Sequence, residues 1–200
     1  MTKKLTRCLW VTPGDKLYEK YHDTEWGVPT HNDRKIFEFL VLESAQAGLN
    51  WRMILKKREN YKKAFANFEP DKVAKFGSRE IKSLLSNSGI VRNRLKIEAA
   101  INNAKMFLET QKEFRSFSKY MWSFVKNKPI RHKIKTLSDY PIKIKEAEIW
   151  AADLKKRGFK FFGPTICYAH MQAVGMVNDH MAKCFRSKVD KNFKYDKINI

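Results

Sequence analysis

The sequence predicts an all-α fold, and three observations carry that prediction. Apolar residues recur at helical rather than alternating spacing, capping residues and glycines bracket the runs, and 43% hydrophobic residues over a length of 200 suffice for one buried core. No internal repeat, low-complexity linker or glycine-rich phosphate loop breaks the pattern. Asn32 and Asp33 offer a cap for a first helix on which Ile36, Leu40, Glu43 and Ala47 fall at i, i+4, i+7 and i+11, with Gly48 able to close it in the left-handed region. Glu43 therefore lies on the apolar face. A second helix follows Asn50 with Trp51, Ile54, Leu55, Tyr61 and Phe65, and a third runs from a Ser78 cap through Ile81, Leu84 and Leu85 to Gly89. Ile97, Ile101, Ala104 and Leu108 mark a fourth, and further helical patterns cover residues 116–125, 146–157 and 164–175. Between 126 and 145 lie seven Lys/Arg, one acid and two prolines, which reads as an exposed basic connector. Residues 1–185 form a single unit in this reading, and 186–200 a basic tail.

Lys and Arg number 41 against 21 Asp and Glu, a formal charge of +20. A magnitude of roughly 2–8 is enough to keep a small domain soluble. The excess points to a polyanion, of which duplex nucleic acid is the commonest, although 30 of the basic residues are Lys and compositional bias contributes. Three cysteines exclude a disulfide framework, and neither a signal peptide nor a membrane-spanning run is evident, so a soluble intracellular chain without membrane contact is expected.

Cys8 and His22 near one end, and the H-x-x-x-C pair His180 and Cys184 near the other, would together fill a tetrahedral zinc shell. Residues four apart share a helix face, so the second pair can chelate one ion. Four protein ligands leave no place for water, and such a metal would be structural. On spacing alone, a buried thiol and two surface histidines explain the same residues. Cys167 and His170, amid apolar neighbours, read as core. Leu154–Gly175 reads as helix, short turn, helix, with Gly158 ending the first and Gly163-Pro164 opening the second. The free N–H groups there, flanked by Lys155, Lys156, Arg157 and Lys160, suit a phosphate, while an ordinary hairpin with solvated lysines is the alternative. Trp10, Tyr18, Tyr21, Trp26 and Trp51 are concentrated near the front of the chain, with Glu43 among them. Electron-rich rings around one anionic acceptor suit a flat, cationic, donor-bearing ligand; the same residues also suit a core with Glu43 reaching out to water.

The segments RCLWV, YHDTEWGVP, LVLESAQAGLNW, ILKKRENY, SGIVRNRLKI, MWSFV and LKKRGFKFFGPTICYAHMQAVGMVNDH, followed by Cys184, resemble the 3-methyladenine DNA glycosylase I family in sequence and order over residues 7–184. The resemblance implies a helix-hairpin-helix DNA glycosylase fold whose terminal regions are joined by one structural zinc ion on Cys8, His22, His180 and Cys184. It implies a base-excision repair hydrolase that rotates 3-methyladenine out of alkylated duplex DNA and hydrolyses its N-glycosidic bond, with water as nucleophile. Glu43 becomes the catalytic, base-recognising carboxylate, with Trp10, Tyr18, Tyr21 and Trp51 as the aromatic wall. Gly48 and Leu49 become the segment approaching the vacated stack. Arg92, Arg94, Lys160, Phe161 and Gly163 are the expected DNA contacts. Asp179 follows the hairpin where many such enzymes place a catalytic aspartate, yet it also precedes His180 and would serve equally to orient the metal site. No lysine is singled out as a Schiff-base nucleophile, so a monofunctional enzyme without lyase activity is expected, acting as a monomer in the cytoplasm and on nucleoid DNA. Ser44, where the family often has glycine, and Arg52-Met53, in place of a more apolar pair, are departures expected to alter pocket shape. A non-enzymatic, zinc-stabilised DNA-binding protein is the competing reading; an RNA-directed hydrolase has only the charge in its favour.

Overall fold

The computed structural model describes residues 5–187, so the basic tail beyond Ser187 lies outside the described residues. Helices dominate in the order α1 (Lys16–Thr24), α2 (Asp33–Gln46), α3 (Trp51–Ala64), α4 (Pro70–Val73), α5 (Ser78–Ser86), α6 (Arg94–Phe114), α7 (Phe117–Ser123), α8 (Lys145–Lys156) and α9 (Pro164–Ala173). None is long and apolar enough to cross a membrane.

At the centre lies α2. Asn32 caps it, its side chain accepting from Lys35 N, and α3, α6, α7 and α9 pack around it. Phe37, Phe39, Val41 and Leu42 are consequently as buried as Ile36 and Leu40. A helix enclosed by others has no need of a polar face, so the single apolar face legible in the spacing understates its burial. Asp33 in its first turn also fixes α7: its carboxylate accepts from Phe117 N at 2.9 Å, Ser118 N at 2.8 Å and Gln111 Nε2 at 2.6 Å. Arg58 on α3 reaches Glu38 on α2 at 2.7 Å and forks onto Glu25 at 2.8 and 2.7 Å. Burial opposes ionisation of Glu25, but the Arg58 hydrogen bonds override it and hold the carboxyl down at about 2.

Several elements differ from the expectation. Ser78 is the first helical residue of α5 rather than its cap; Gly77 takes that place, and Glu80 accepts from Gly77 N at 2.8 Å. The helix stops at Ser86, short of Gly89, because Asn87 turns the chain and its Oδ1 accepts from Gly89 N at 2.8 Å. The helices α1 and α4 had no strong periodic signal in such short stretches; the Asp15 cap, accepting from Tyr18 N at 3.3 Å, was the available sign of the first. The stretch 126–145 is not simply an exposed connector. Ile130–Arg131 (β1) pairs in parallel with Val177–Asn178 (β2), and Ile134 is buried with its carbonyl accepting from Ala182 N at 2.7 Å. Charge density concealed the few apolar residues that dock it.

Gly175, after α9, has φ +73°, and a Cβ there would lie 2.1 Å from Pro29 N and 2.2 Å from the Val28 carbonyl carbon. Gly175→Ala is accordingly expected to cost at least about 3 kcal/mol, read as a lowered urea midpoint, because backbone rather than a flexible side chain must yield.

Candidate functional site

Four residues from opposite ends of the chain converge. Cys8, His22, His180 and Cys184 are all buried, and their ligand atoms lie within 4.8 Å of one another. His180 Nδ1 is 3.5 Å from each sulfur, and His22 Nε2 is 3.4 Å from Cys184 Sγ. A tetrahedral ion with bonds of about 2.3 Å to sulfur and about 2.0–2.1 Å to nitrogen has S···N edges of about 3.5 Å, so the group fits a metal ion. The remaining ring nitrogens are engaged as metal-bound histidines require: His22 Nδ1 is 2.7 Å from Asp23 Oδ1 and His180 Nε2 is 3.0 Å from the Trp26 carbonyl. Backbone N–H groups of Met181 and Arg186 point at Cys8 and Cys184 at 3.3 and 3.4 Å. The hydrogen bond with Cys184 pushes the Cys8 thiol up, while its counterpart from Cys8 draws Cys184 down.

The aromatic residues form a cavity of about 300 Å³ directly against this cluster. Trp10, Tyr18, Tyr21 and Trp51 all line it, with Glu43 at its wall. Trp10 packs edge-on to His22 at 5.2 Å and Trp26 edge-on to His180 at 4.7 Å, so the ring wall rests on the ligand group. Tyr21 and Trp51 lie 5.4 Å apart, and Trp51 stacks on Phe39 at 6.3 Å, which in turn sits under the Lys35 and Arg58 cations. Glu43 is only 3% exposed, and no donor among the described residues hydrogen-bonds to its carboxylate. Burial alone pushes its pKa up to about 8. The Trp51 indole N–H in the same wall is likewise buried with no acceptor among the described residues.

The cavity has walls that the sequence did not disclose. Gln46, one turn beyond Glu43, was recoverable from helical spacing; Gln172 and Ala169 on α9 were not, since their neighbours read as core. Leu137 and Tyr140 come from the basic stretch 126–145. Ser44 is buried and is not a cavity wall, and Arg52 pairs with Asp15, so neither departure reshapes the pocket directly.

Other expected residues fall into distinct places. Gly48, with φ +74°, and the 40% exposed Leu49 form a tight turn immediately after α2. Arg92 and Arg94 are exposed at the start of α6, where Arg94 lies 3.2 Å from Glu98. In the turn between α8 and α9, Asn103 clamps Lys160 by both backbone groups at 2.8 Å, leaving Phe161 41% exposed, and Gly163 caps α9. Arg157 is committed within the protein, to Glu113 at 2.6 Å and Asp153 at 2.7 Å. Asp179 is fully buried, its carboxylate accepting from Gln172 Nε2 at 2.7 Å and from Tyr168, with His132 Nδ1 at 2.7 Å. It is not a cavity wall; its bond to Gln172, which is one, links it to the site. His170 and Cys167 are core residues; burial lowers the His170 pKa to about 4 while its Nε2 lies 3.1 Å from the Ile36 carbonyl.

Burial of Glu43 has a consequence for stability. Because its pKa is raised in the folded chain, the contribution is fully present below about pH 4.5 and is lost as pH rises through about 8. Glu43→Gln cannot ionise and escapes that loss. The variant is expected to be more stable than the native chain by roughly 3 kcal/mol at pH 7, with no advantage near pH 4, in urea unfolding repeated across that range.

A sequence profile of the methyladenine glycosylase family matches residues 10–187. DNA-3-methyladenine glycosylase 1 of Escherichia coli (strain K12) is 46% identical over 180 residues, 90% of this chain and 96% of that protein. A crystal structure of a 3-methyladenine DNA glycosylase I superposes with a TM-score of 0.87 at 47% identity, covering 90% of this chain and 98% of the other. A tyrosine-to-phenylalanine variant of a 3-methyladenine DNA glycosylase I, solved in complex with 3-methyladenine, gives 0.88 at 37% identity, covering 92% and 98%. With matches of this extent in sequence and in fold, the chain belongs to the methyladenine glycosylase family.

Proposed function

We propose that this chain is a monofunctional DNA glycosylase that excises 3-methyladenine from alkylated duplex DNA by hydrolysing the N-glycosidic bond. The observation that carries the reading is Glu43, a carboxylate buried among aromatic rings with no hydrogen-bond donor among the described residues. A buried acceptor of this kind is satisfied by a ligand's own donor, here the exocyclic amine of the base. Methylation at N3 makes the adenine of the nucleotide cationic and weakens its bond to the sugar. The faces of Trp10, Tyr18, Tyr21 and Trp51 attract that positive charge, and ionised Glu43 reinforces it; both interactions are weaker for neutral adenine. Leaving-group protonation is thus a small part of the task, and discrimination the larger one. The base must leave the stack to arrive, at a cost of about a few kcal/mol. Gly48 and Leu49 stand at the end of the Glu43 helix, where they suit the vacated space. The α8–α9 hairpin, with Lys160, Phe161 and Gly163 in its turn, and Arg92 and Arg94 at the start of α6, suit the phosphate backbone. Pocket and cluster are both complete within one chain, which suits a monomer, and residues 1–185 act as one unit in this reading.

The Cys2His2 donor set, closed and buried, favours zinc in a structural role. Cys8, His22, His180 and Cys184 would hold it, and the ion would join the chain ends without entering the reaction. Water is the nucleophile, and Asp179 is a positioning residue in this scheme because its carboxylate is saturated inside the protein.

Incubation with methylated duplex DNA should release free 3-methyladenine, detected chromatographically; its absence from the products would overturn the reading. Glu43→Gln should lower the excision rate at least about 100-fold. The native kcat/KM should rise with pH through about 8 as Glu43 ionises, and that rise should vanish in the variant. Cys184→Ala should abolish stoichiometric zinc and lower the thermal midpoint; a variant that stays fully stable without zinc would show that the ion is not structural.

A further inference from the structure

Lys96, in the first turn of α6, points away from solvent and back to the end of α2. Its Nζ donates to the Ala45 carbonyl at 2.8 Å and to the Ala47 carbonyl at 2.6 Å. No carboxylate lies within ion-pair distance of it among the described residues, so these main-chain oxygens are its partners. The last carbonyls of a helix have no intrahelical donor and carry the negative end of the peptide dipoles, which a cation there satisfies. One residue further on, Gly48 turns the chain at φ +74° with nothing within 4 Å of where a Cβ would stand. Leu49 then presents an apolar side chain to solvent, 40% exposed. The turn is tied on its inner side as well: Leu49 N donates to the Gln46 carbonyl at 2.6 Å and Gln46 Nε2 to the Leu49 carbonyl at 3.4 Å. Gln46 is also a wall of the base cavity. The turn that carries this exposed leucine is therefore held by Gln46, a cavity residue, and the helix end leading into it by a lysine from another helix.

We propose that Lys96 is a positioning residue for base extrusion: its ammonium clamps the α2 terminus so that the Gly48–Leu49 turn meets the DNA stack already rigid. This rests on the glycosylase reading and adds a division of labour to it. Glu43 and the rings recognise the extruded base, while Lys96 governs how readily the base is extruded, without touching it. An ammonium satisfied by two carbonyls is also withdrawn from phosphate binding, which sets Lys96 apart from Arg92 and Arg94 nearby. A flexible turn would have to be ordered at the moment of insertion, and that entropic cost would fall on duplex substrates alone.

The test is Lys96→Met, with Lys96→Arg and Leu49→Ala alongside. Single-turnover excision from methylated duplex DNA should fall about 10-fold in Lys96→Met, and Lys96→Arg, which retains donors for both carbonyls, should recover most of it. Excision from methylated single-stranded DNA should change less than about 2-fold, as should affinity for free 3-methyladenine followed by tryptophan fluorescence. The slope of log affinity against log salt should stay at its native value. Equal losses on duplex and single strand, a parallel loss of free-base affinity, or a slope reduced by about 0.9 would overturn the proposal, the last by making Lys96 a phosphate contact. Leu49→Ala should reproduce the duplex-selective loss. If it does not while the native chain releases 3-methyladenine, the turn does not enter the stack and the Lys96 role falls alone; if the native chain releases none, the glycosylase reading falls with it.

Discussion

The convergence of Cys8 and His22 with His180 and Cys184 is the constraint on which the site depends. Residues 8–26 carry Trp10, Tyr18, Tyr21 and Trp26, yet they contain only the nine-residue α1, too short to hold a wall of rings in place by itself. Their anchorage is the ligand group, against which two of those rings pack edge-on. Asp23 extends the anchorage outward, accepting from Arg7 at 2.7 and 2.9 Å while facing His22 Nδ1. On the other strand of the junction, Asp179 gathers His132, Tyr168 and Gln172 beside His180, and through Gln172 the same network meets the pocket. Cluster and cavity are thus neighbouring halves of one construction.

The opposite wall is set by α2. Enclosing that helix on all sides holds Glu43 at one depth and in one direction, and costs stability at neutral pH because its carboxyl is kept from water. In the proposed function this poorly solvated acid is the acceptor that a ligand's donor satisfies, a common trade at sites of recognition. Much of the surrounding positive charge has internal work. Arg58 and Lys35 neutralise Glu25 and Glu38 beneath Phe39, Arg157 binds Glu113 and Asp153 while lying over the Phe114 and Tyr120 rings, and Lys96 caps α2. The 41 Lys and Arg therefore overstate the cations free to meet a polyanion, whereas the net charge of +20 already discounts those paired with acids.

Much of the fold was legible where periodicity was long and well capped. The starts of α2 and α3, the glycine after α2 and the proline-led start of α9 all fall as their local signals indicate. Short elements with tertiary support were not legible: α1 is held by the ligand group and α3, and the two-residue β1–β2 pair is held by burial of Ile134 and the Ala182 hydrogen bond. The connector misled because seven cations in its sequence outweighed Ile134, Leu137 and Tyr140, whereas in space those three face inward or toward the cavity.

The sequence by itself determined the residue types of the site, namely one acid on an apolar helix, a concentration of rings, and two Cys/His pairs at opposite ends. It determined these because helical spacing and side-chain chemistry are local properties of the chain. Only the tertiary structure decided that the pairs meet at tetrahedral distances, that Glu43 has no donor among the described residues, that Asp179 is sealed behind Gln172, and that Lys96 turns inward to the end of α2. Apart from the Asp179–Gln172 bond, which spans seven positions, each of those depends on what stands across a gap closed by residues tens to more than a hundred positions away, and contacts of that range leave no periodic trace in a sequence.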